Sequence, residues 1–286
     1  MIILDLNQTI ISNILAQMGN HTNAKIEEDL VRHMVLNAIR SHRTKFAEYG
    51  ELVIACDDRA YWRRLVFPHY KANRKKDREK SEINWGELFG ALNKIKQEIK
   101  DYFPYRVIQV DHAEADDVIG SIVHEFGYNL NNMTTEQILI LSGDKDFIQL
   151  QQYANVKQYD PVQKKKITAI NPERFARELV LKGDRGDGVP NVLSADNVFV
   201  DNVRQKPLRE SKIEELLNTP IDQYPPEIRR NYDRNNLLIN LDCIPPEIQR
   251  EVIDEYKRQE GKGRDKLFNY FVSHRLKNLL EAIGDF

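Results

Sequence analysis

The sequence predicts an α/β fold: a mainly parallel central sheet flanked by helices over residues 1–182, with a smaller C-terminal α-helical lobe over 183–286. Three observations carry this. Short apolar runs alternate with stretches of helical periodicity, as in sheets joined by crossover helices. Four of those runs lead into acidic residues, on the side where α/β sheets place ligands. Past residue 183 a Gly-rich loop gives way to helical segments alone.

The first run, Ile2–Leu4 in "MIILDLNQ", reads as a strand. A helix follows with Ile26, Leu30, Met34 and Ala38 on one face, stopping before Gly50. Leu52–Ala55 is the second strand. Leu88, Leu92, Ile95 and Ile99 mark another amphipathic helix, and Val107–Val110 and Ile138–Leu141 are the third and fourth strands. Right-handed crossovers make these strands parallel neighbours with helices on both faces. In the lobe, "YPPE" and "IPPE" put proline in a first helical turn, and the two "PPEI" strings are two similar helix starts.

A chain of 286 residues with 41% apolar content can bury one large domain, or a large and a small one. No stretch approaches the roughly 20 apolar residues of a membrane span, and no signal-peptide pattern precedes the first strand. The expectation is a soluble, cytoplasmic protein. Cys56 and Cys243 form neither a CxxC pattern nor a predicted pair, so buried reduced thiols are expected. "GKGRDK" near 261 lacks the spacing of a phosphate-binding P-loop.

Acidic residues gather in five sets: Asp5; Asp57 and Asp58; Glu114, Asp116 and Asp117; Asp144 and Asp146; Asp184 and Asp187. Each alone suits a turn or a helix start. Together, seven or eight ionised carboxylates at one sheet edge would repel strongly, and a pair of divalent ions removes that objection. All-oxygen ligands point to Mg²⁺ or Mn²⁺ rather than zinc. Two such ions suit in-line phosphoryl displacement.

The net charge is −2, from 42 Lys and Arg against 44 Asp and Glu, but the charges are segregated. Residues 61–80, "YWRRLVFPHYKANRKKDREK", set eight Lys or Arg against two acids, interleaved with Tyr61, Trp62, Phe67 and Tyr70. That mixture suits phosphate contact and base stacking. It follows the Asp57 strand directly and so begins beside the acidic pocket.

The ordered motifs "ILDLNQ", "YWRR…YKANR", "AEADDVIG", "SGDKDFIQL" and "LKGDRGDGVP" resemble the flap endonuclease family of 5′-nucleases, its T-even bacteriophage members above all. The resemblance is strong over 1–190 and looser over 191–286. It implies a PIN-like fold, a pair of Mg²⁺ ions, and removal of RNA primers and 5′ flaps in lagging-strand replication.

Carried over by position, the resemblance implies that Asp5, Asp57, Glu114, Asp116 and Asp144 surround the first metal. Asp146, Asp184 and Asp187 stand nearer the second, with Asp117 and Asp58 behind them. Lys71 and Arg74 match basic residues that reach the scissile phosphate from an arch, here about 59–86, and Tyr70 is placed to stack on a terminal base. Arg63, Arg64, Lys75 and Lys76, with Lys182 and Arg185 further on, are the expected nucleic-acid contacts. Gly183 looks like the start of a helix-three-turn-helix that holds the duplex.

Implied partners are RNA–DNA hybrid and nicked, gapped or flapped duplex DNA, a single-strand binding protein and a sliding clamp, met by a monomer. One departure stands out: where relatives continue with "GxxGIGxKTA", this chain reads "NVLSADNVFVDNVRQKPLRES", which puts the usual duplex grip and its potassium site in doubt. Two other readings stay open from the residues, a PIN-type endoribonuclease and a non-catalytic, structure-specific DNA-binding module.

Overall fold

The structure is a computed structural model that describes residues 1–18, 27–79, 83–128, 133 and 136–286, without the side chains at 13, 16–18, 75–77 and 79. Its centre is a six-stranded sheet in the order β3-β2-β1-β4-β5-β6. The strands are β1 (Ile2–Asp5), β2 (Leu52–Ala55), β3 (Arg106–Ile108), β4 (Ile138–Leu141), β5 (Val156–Asp160) and β6 (Lys165–Ile167). All neighbours pair in parallel except β5 and β6, which form an antiparallel hairpin. The chain steps outward from β1 through β2 to β3, then returns to start β4 on the other side of β1. The strand order therefore reverses between β1 and β4, where open α/β sheets open a crevice at their carboxyl ends.

The period-2 alternation of the strands divides the interior between two faces. Ile2, Leu4, Leu52, Ile54, Leu139 and Leu141 point to one. It is covered by α1 (Leu6–Met18), α2 (Glu28–Lys45) and, beyond α3 (Trp62–Val66) and α4 (Ala72–Glu79), by α5 (Trp85–Tyr102). Ile3, Val53, Ala55, Ile138 and Ile140 point to the other face, against α6 (Ala115–Phe126).

The helical part continues with α7 (Pro172–Lys182), α8 (Glu210–Asn218), α9 (Pro226–Ile239), α10 (Pro246–Arg258), α11 (Leu267–Ser273) and α12 (Lys277–Leu280). Only α7 to α9 build a core of their own, together with Phe67 and Tyr70. The rest returns to the sheet: Ile248 and Val252 of α10 join the α6 face, and Tyr270, Phe271 and Phe286 join the α2 face. Both "PPE" strings start helices, α9 and α10.

Some expectations need adjustment. In α2 the buried stripe is Val31, Val35, Leu36 and Ile39, while Leu30 is 56% exposed. Met34 and Ala38 pack against this core as expected, beside the Val31–Val35–Ile39 row that lies deepest; Ile26 lies outside the described residues. The third strand begins and ends earlier than 107–110, and the chain turns after it at Asp111 and His112. The β5–β6 hairpin was not predicted: Lys157 and Lys165–Lys166 give it the polar pattern of a sheet edge. Cys56 is buried as expected, whereas Cys243 is half-exposed; both are free. Among the described residues no helix is long and apolar enough to cross a membrane.

Candidate active site

The carboxyl ends of β1, β2 and β4 and the start of α6 deliver the acidic sets to one crevice. Asp5 closes β1; its Oδ1 accepts the Gln8 N–H at 3.1 Å and its Oδ2 accepts the Ser142 hydroxyl at 3.1 Å. Asp57 follows β2 and is held from both sides, by Asn7 Nδ2 at 2.6 Å and the Ala115 N–H at 2.8 Å. Asp144 caps the 3₁₀ turn after β4 by accepting the Asp146 N–H at 2.9 Å. Asp146 Oδ1 is buried with no hydrogen-bond partner among the described residues.

Glu114 and Asp117 form the capping box of α6. Glu114 Oε2 accepts from Arg63 Nη1 at 2.9 Å and from the Tyr70 hydroxyl at 3.0 Å, and its Oε1 is paired with Lys71 Nζ. Asp184 and Asp187 come from the loop after α7: Lys145 Nζ lies 2.8 Å from Asp184, and Asp187 takes Tyr70 OH at 2.9 Å and Arg74 Nη2 at 2.5 Å. Lys71 Nζ stands 3.6 Å from Asp187. A cavity of about 800 Å³ opens over Asp5, Asp57, Asp116 and Asp144, with Lys71 and Arg74 on its wall.

The charges in this crevice press on one another. Burial, then the neighbouring Asp57, pushes Asp5 up to about 7. Burial and the Asp144 charge raise Asp116 well above the carboxylate range, and burial with Asp144, Asp187 and Asp184 does the same to Asp146. Asp144 is raised by burial and by Asp187 and Asp184. Asp187 goes the other way: burial would raise it, but Lys71 and Arg74 hold it below the usual range. Among the described residues no three of these groups close on one point as a ligand cage, and Lys71, Arg74 and Lys145 pair with Glu114, Asp187 and Asp184.

The orphaned Asp146 oxygen and the raised acids nevertheless fit divalent cations, which would relieve the mutual repulsion and supply the missing partner. The donor set is all oxygen, the chemistry of Mg²⁺ or Mn²⁺.

Two expected nucleic-acid contacts are corrected. Arg63 is 1% exposed, and Tyr70 is also buried with its hydroxyl engaged inside the site, so neither reaches a substrate here. The first turn after Tyr61 folds Trp62 and Arg63 inward and leaves Arg64 outside. Lys71 is 7% exposed and faces carboxylates, whereas Arg74 is accessible. Asp58 lines the same cavity, and its carboxylate accepts the His112 N–H at 3.0 Å and Gln109 Nε2 at 3.2 Å. The side chains of Lys75 and Lys76 lie outside the described ones. Asn7 and Ser142, which orient Asp57 and Asp5, were not singled out from sequence, although both sit inside the motifs "ILDLNQ" and "SGDKD".

The loop after α7 is laced to the arch base: Asp187 O accepts the Lys71 N–H at 2.7 Å and Arg185 O accepts Asn73 Nδ2 at 3.0 Å. Gly188 makes this approach possible, since at φ 72° a Cβ there would lie 2.9 Å from the His69 carbonyl oxygen. Beside it, a second cavity of about 840 Å³ is lined by Lys182, Arg185, Arg204 and Lys206, with no acidic residue among its described lining.

Comparison with known proteins decides the family. Residues 3–180 match the model of the 5′-3′ exonuclease N-terminal resolvase-like domain, and 172–286 match that of the T4 RNase H C-terminal region. The chain belongs to the 5′-3′ exonuclease family. It is 33% identical to the ribonuclease H of Enterobacteria phage T4 over 296 aligned positions, covering 99% of this chain and 95% of that protein. The 5′-3′ exonuclease of Buchnera aphidicola subsp. Schizaphis graminum is 30% identical over 55% of this chain and 53% of its own.

The fold also matches the bacteriophage T5 D15 protein co-crystallised with metal ions, with a TM-score of 0.61 at 16% identity over 91% of this chain and 99% of that one. A T5 D15 flap endonuclease complex with DNA and metal ions matches with a TM-score of 0.59 at 17% identity, over 91% and 98%. The chain is thus a 5′-3′ nuclease, and the likeness to the T-even phage enzyme seen in its motifs holds over nearly its whole length.

Proposed function

We propose that this nuclease uses two Mg²⁺ ions to remove RNA primers and 5′ flaps, acting 5′ to 3′ on RNA–DNA hybrid and on nicked, gapped or flapped duplex in phage-type lagging-strand replication. The observation that carries it is the convergence of buried acids, several pushed upward by one another, in a crevice walled by Lys71 and Arg74. Asp5, Asp57, Glu114, Asp116 and Asp144 would hold the first ion, and Asp146, Asp184 and Asp187 the second. Held there, divalent ions would supply an activated water and stabilisation of the leaving oxygen.

The chain's own groups do the rest. Asn7 and the Ala115 N–H keep Asp57 fixed, and Ser142 fixes Asp5. Arg74, at the accessible rim beside Asp187, would hold the scissile phosphate, and Lys71 would join it on leaving Glu114. Residues 1–182 carry the chemistry and 183–286 the duplex contacts, with Lys182 and Arg185 at the basic cavity. Partners in replication would be a single-strand binding protein and a sliding clamp, met by a monomer in the host cytoplasm.

The test is to incubate 5′-labelled and internally labelled hybrid, nicked and flapped substrates with Mg²⁺ and with EDTA. Short 5′ products from hybrid and flap, present only with Mg²⁺, are expected. Activity confined to single-stranded RNA would overturn the substrate assignment.

A further inference from the structure

The arch base places two arginines side by side in "WRRLV", and they end in opposite surroundings: Arg64 is exposed and Arg63 is enclosed. Four contacts hold the Arg63 fork. Nε donates to the Leu238 carbonyl at 2.8 Å, Nη1 to Glu114 Oε2 and Asp117 Oδ2 at 2.9 Å each, and Nη2 pairs with Asp117 Oδ1 at 2.8 Å. Stability alone accounts poorly for this arrangement, since a buried ion cluster is seldom worth more than apolar packing of the same volume. A guanidinium supplies something a lysine cannot: a planar fork that fixes two carboxylates relative to each other.

The consequence falls on Glu114. Asp117, gripped by Arg63 and by Trp62 Nε1 at 3.2 Å, in turn accepts the Glu114 N–H at 2.8 Å, so the backbone of Glu114 is anchored. Oε2 is fixed by Arg63 and Tyr70. Oε1 is paired with Lys71, which comes from the arch and has a left-handed φ of 55°. Such a conformation is costly for a residue other than glycine and is found where surroundings impose it. Glu114 therefore has one oxygen locked by groups of the protein interior and one held by a side chain at the rim of the crevice.

We propose that Arg63 is the positioning residue of this site. It locks Glu114 Oε2, leaves Oε1 as the oxygen offered to a divalent ion when Lys71 withdraws, and through the Leu238 carbonyl ties that orientation to α9 of the helical part. Arg63 touches neither substrate nor ion. The inference rests on the reading of Glu114 as a metal-facing group and goes beyond it by naming what orients that group.

The experiment compares the full chain with Arg63→Lys, Arg63→Gln and a control, Arg32→Lys. Arg32 is another enclosed arginine, gripping Glu98 at 2.8 and 2.9 Å on the opposite face of the sheet. Three quantities are read: Mn²⁺ affinity by electron paramagnetic resonance, affinity for flapped DNA and its salt slope in Ca²⁺, and the single-turnover rate in Mg²⁺. Arg63→Lys should lose about tenfold or more in Mn²⁺ affinity and in rate, as when a ligand's supporting group is removed. Its DNA affinity should stay within twofold of the parent, and its salt slope should be unchanged.

Parent-like Mn²⁺ affinity in Arg63→Lys would overturn the proposal. So would a salt slope shallower by about 0.7–0.9, which marks a lost phosphate contact, or an equal loss of Mn²⁺ affinity in Arg32→Lys at matched melting temperature, which marks general loosening. Should both Arg63 variants fail to fold, Trp62→Phe removes the indole donor to Asp117 together with part of the buried ring beneath Arg63, and unchanged Mn²⁺ affinity there counts against the proposal. Failure of the parent itself to bind Mn²⁺ sinks the metal-site reading instead, which keeps the two claims apart.

Discussion

Asp5→Asn is expected to remove a pH dependence from the metal-free protein. Burial and Asp57 push the Asp5 carboxyl from its ordinary value of 3.8 to about 7. A raised value means that the folded state holds the proton more tightly than the unfolded chain. The stability this confers is therefore complete below pH 3.8 and is lost as pH rises toward 7. Three pH units at about 1.4 kcal/mol each give about 4 kcal/mol, of which about 3 kcal/mol falls between pH 5 and 8.

Asp116, Asp144 and Asp146 are shifted in the same direction and steepen the slope of the parent. Asp187 is shifted down and contributes only as pH falls through the acid range, outside this window. Asparagine keeps a carbonyl for the Gln8 N–H and turns its amide toward Ser142 Oγ, so the fold should survive the change. The assay is urea unfolding in EDTA from pH 5 to 8. The variant should gain on the parent by about 3 kcal/mol across that range, and saturating Mg²⁺ at pH 8 should restore the parent more than the variant. Parallel curves for the two proteins would refute the reasoning.

Gly188→Ala should weaken the join between the loop after α7 and the arch base, where a Cβ would lie 2.9 Å from His69 O; a destabilisation of about 1–3 kcal/mol in thermal or urea unfolding is expected, and none would contradict the close approach. Arg185→Ala and Arg204→Ala, both in the acid-free cavity, should each weaken duplex binding regardless of sequence and make the salt slope shallower by about 0.7–0.9, read by titration in Ca²⁺. An unchanged slope in both would remove the cavity from the duplex path.

The central strands and the acidic sets were legible because both obey short-range rules: Ile2–Leu4 and Ile138–Leu141 are apolar on both faces, and each ends in a carboxylate-bearing turn. The β5–β6 hairpin was not, because its lysines carry the signal of a solvated edge and its pairing is set by contact with β4. Within the basic stretch, Arg63 is buried where composition alone leads one to expect a surface residue. Composition assigns a charge run to the surface, but the Glu114–Asp117 pair that draws Arg63 inward lies 51 and 54 residues further along the chain. The return of α10 and α11 onto the sheet also depends on tertiary contact, since an amphipathic helix does not name the surface it covers.

The gathered acids are expected to hold catalytic metal while the basic rim holds the substrate. Asp144→Asn tests this most directly, measured as the single-turnover rate on a flapped duplex in Mg²⁺ alongside the Kd for the same DNA in Ca²⁺. The variant should lose cleavage by about a thousandfold or more, as when a principal electrostatic group is removed, while its Kd stays within a few-fold of the parent. Cleavage near the parental rate, or cleavage by the parent that persists in EDTA, would contradict the account.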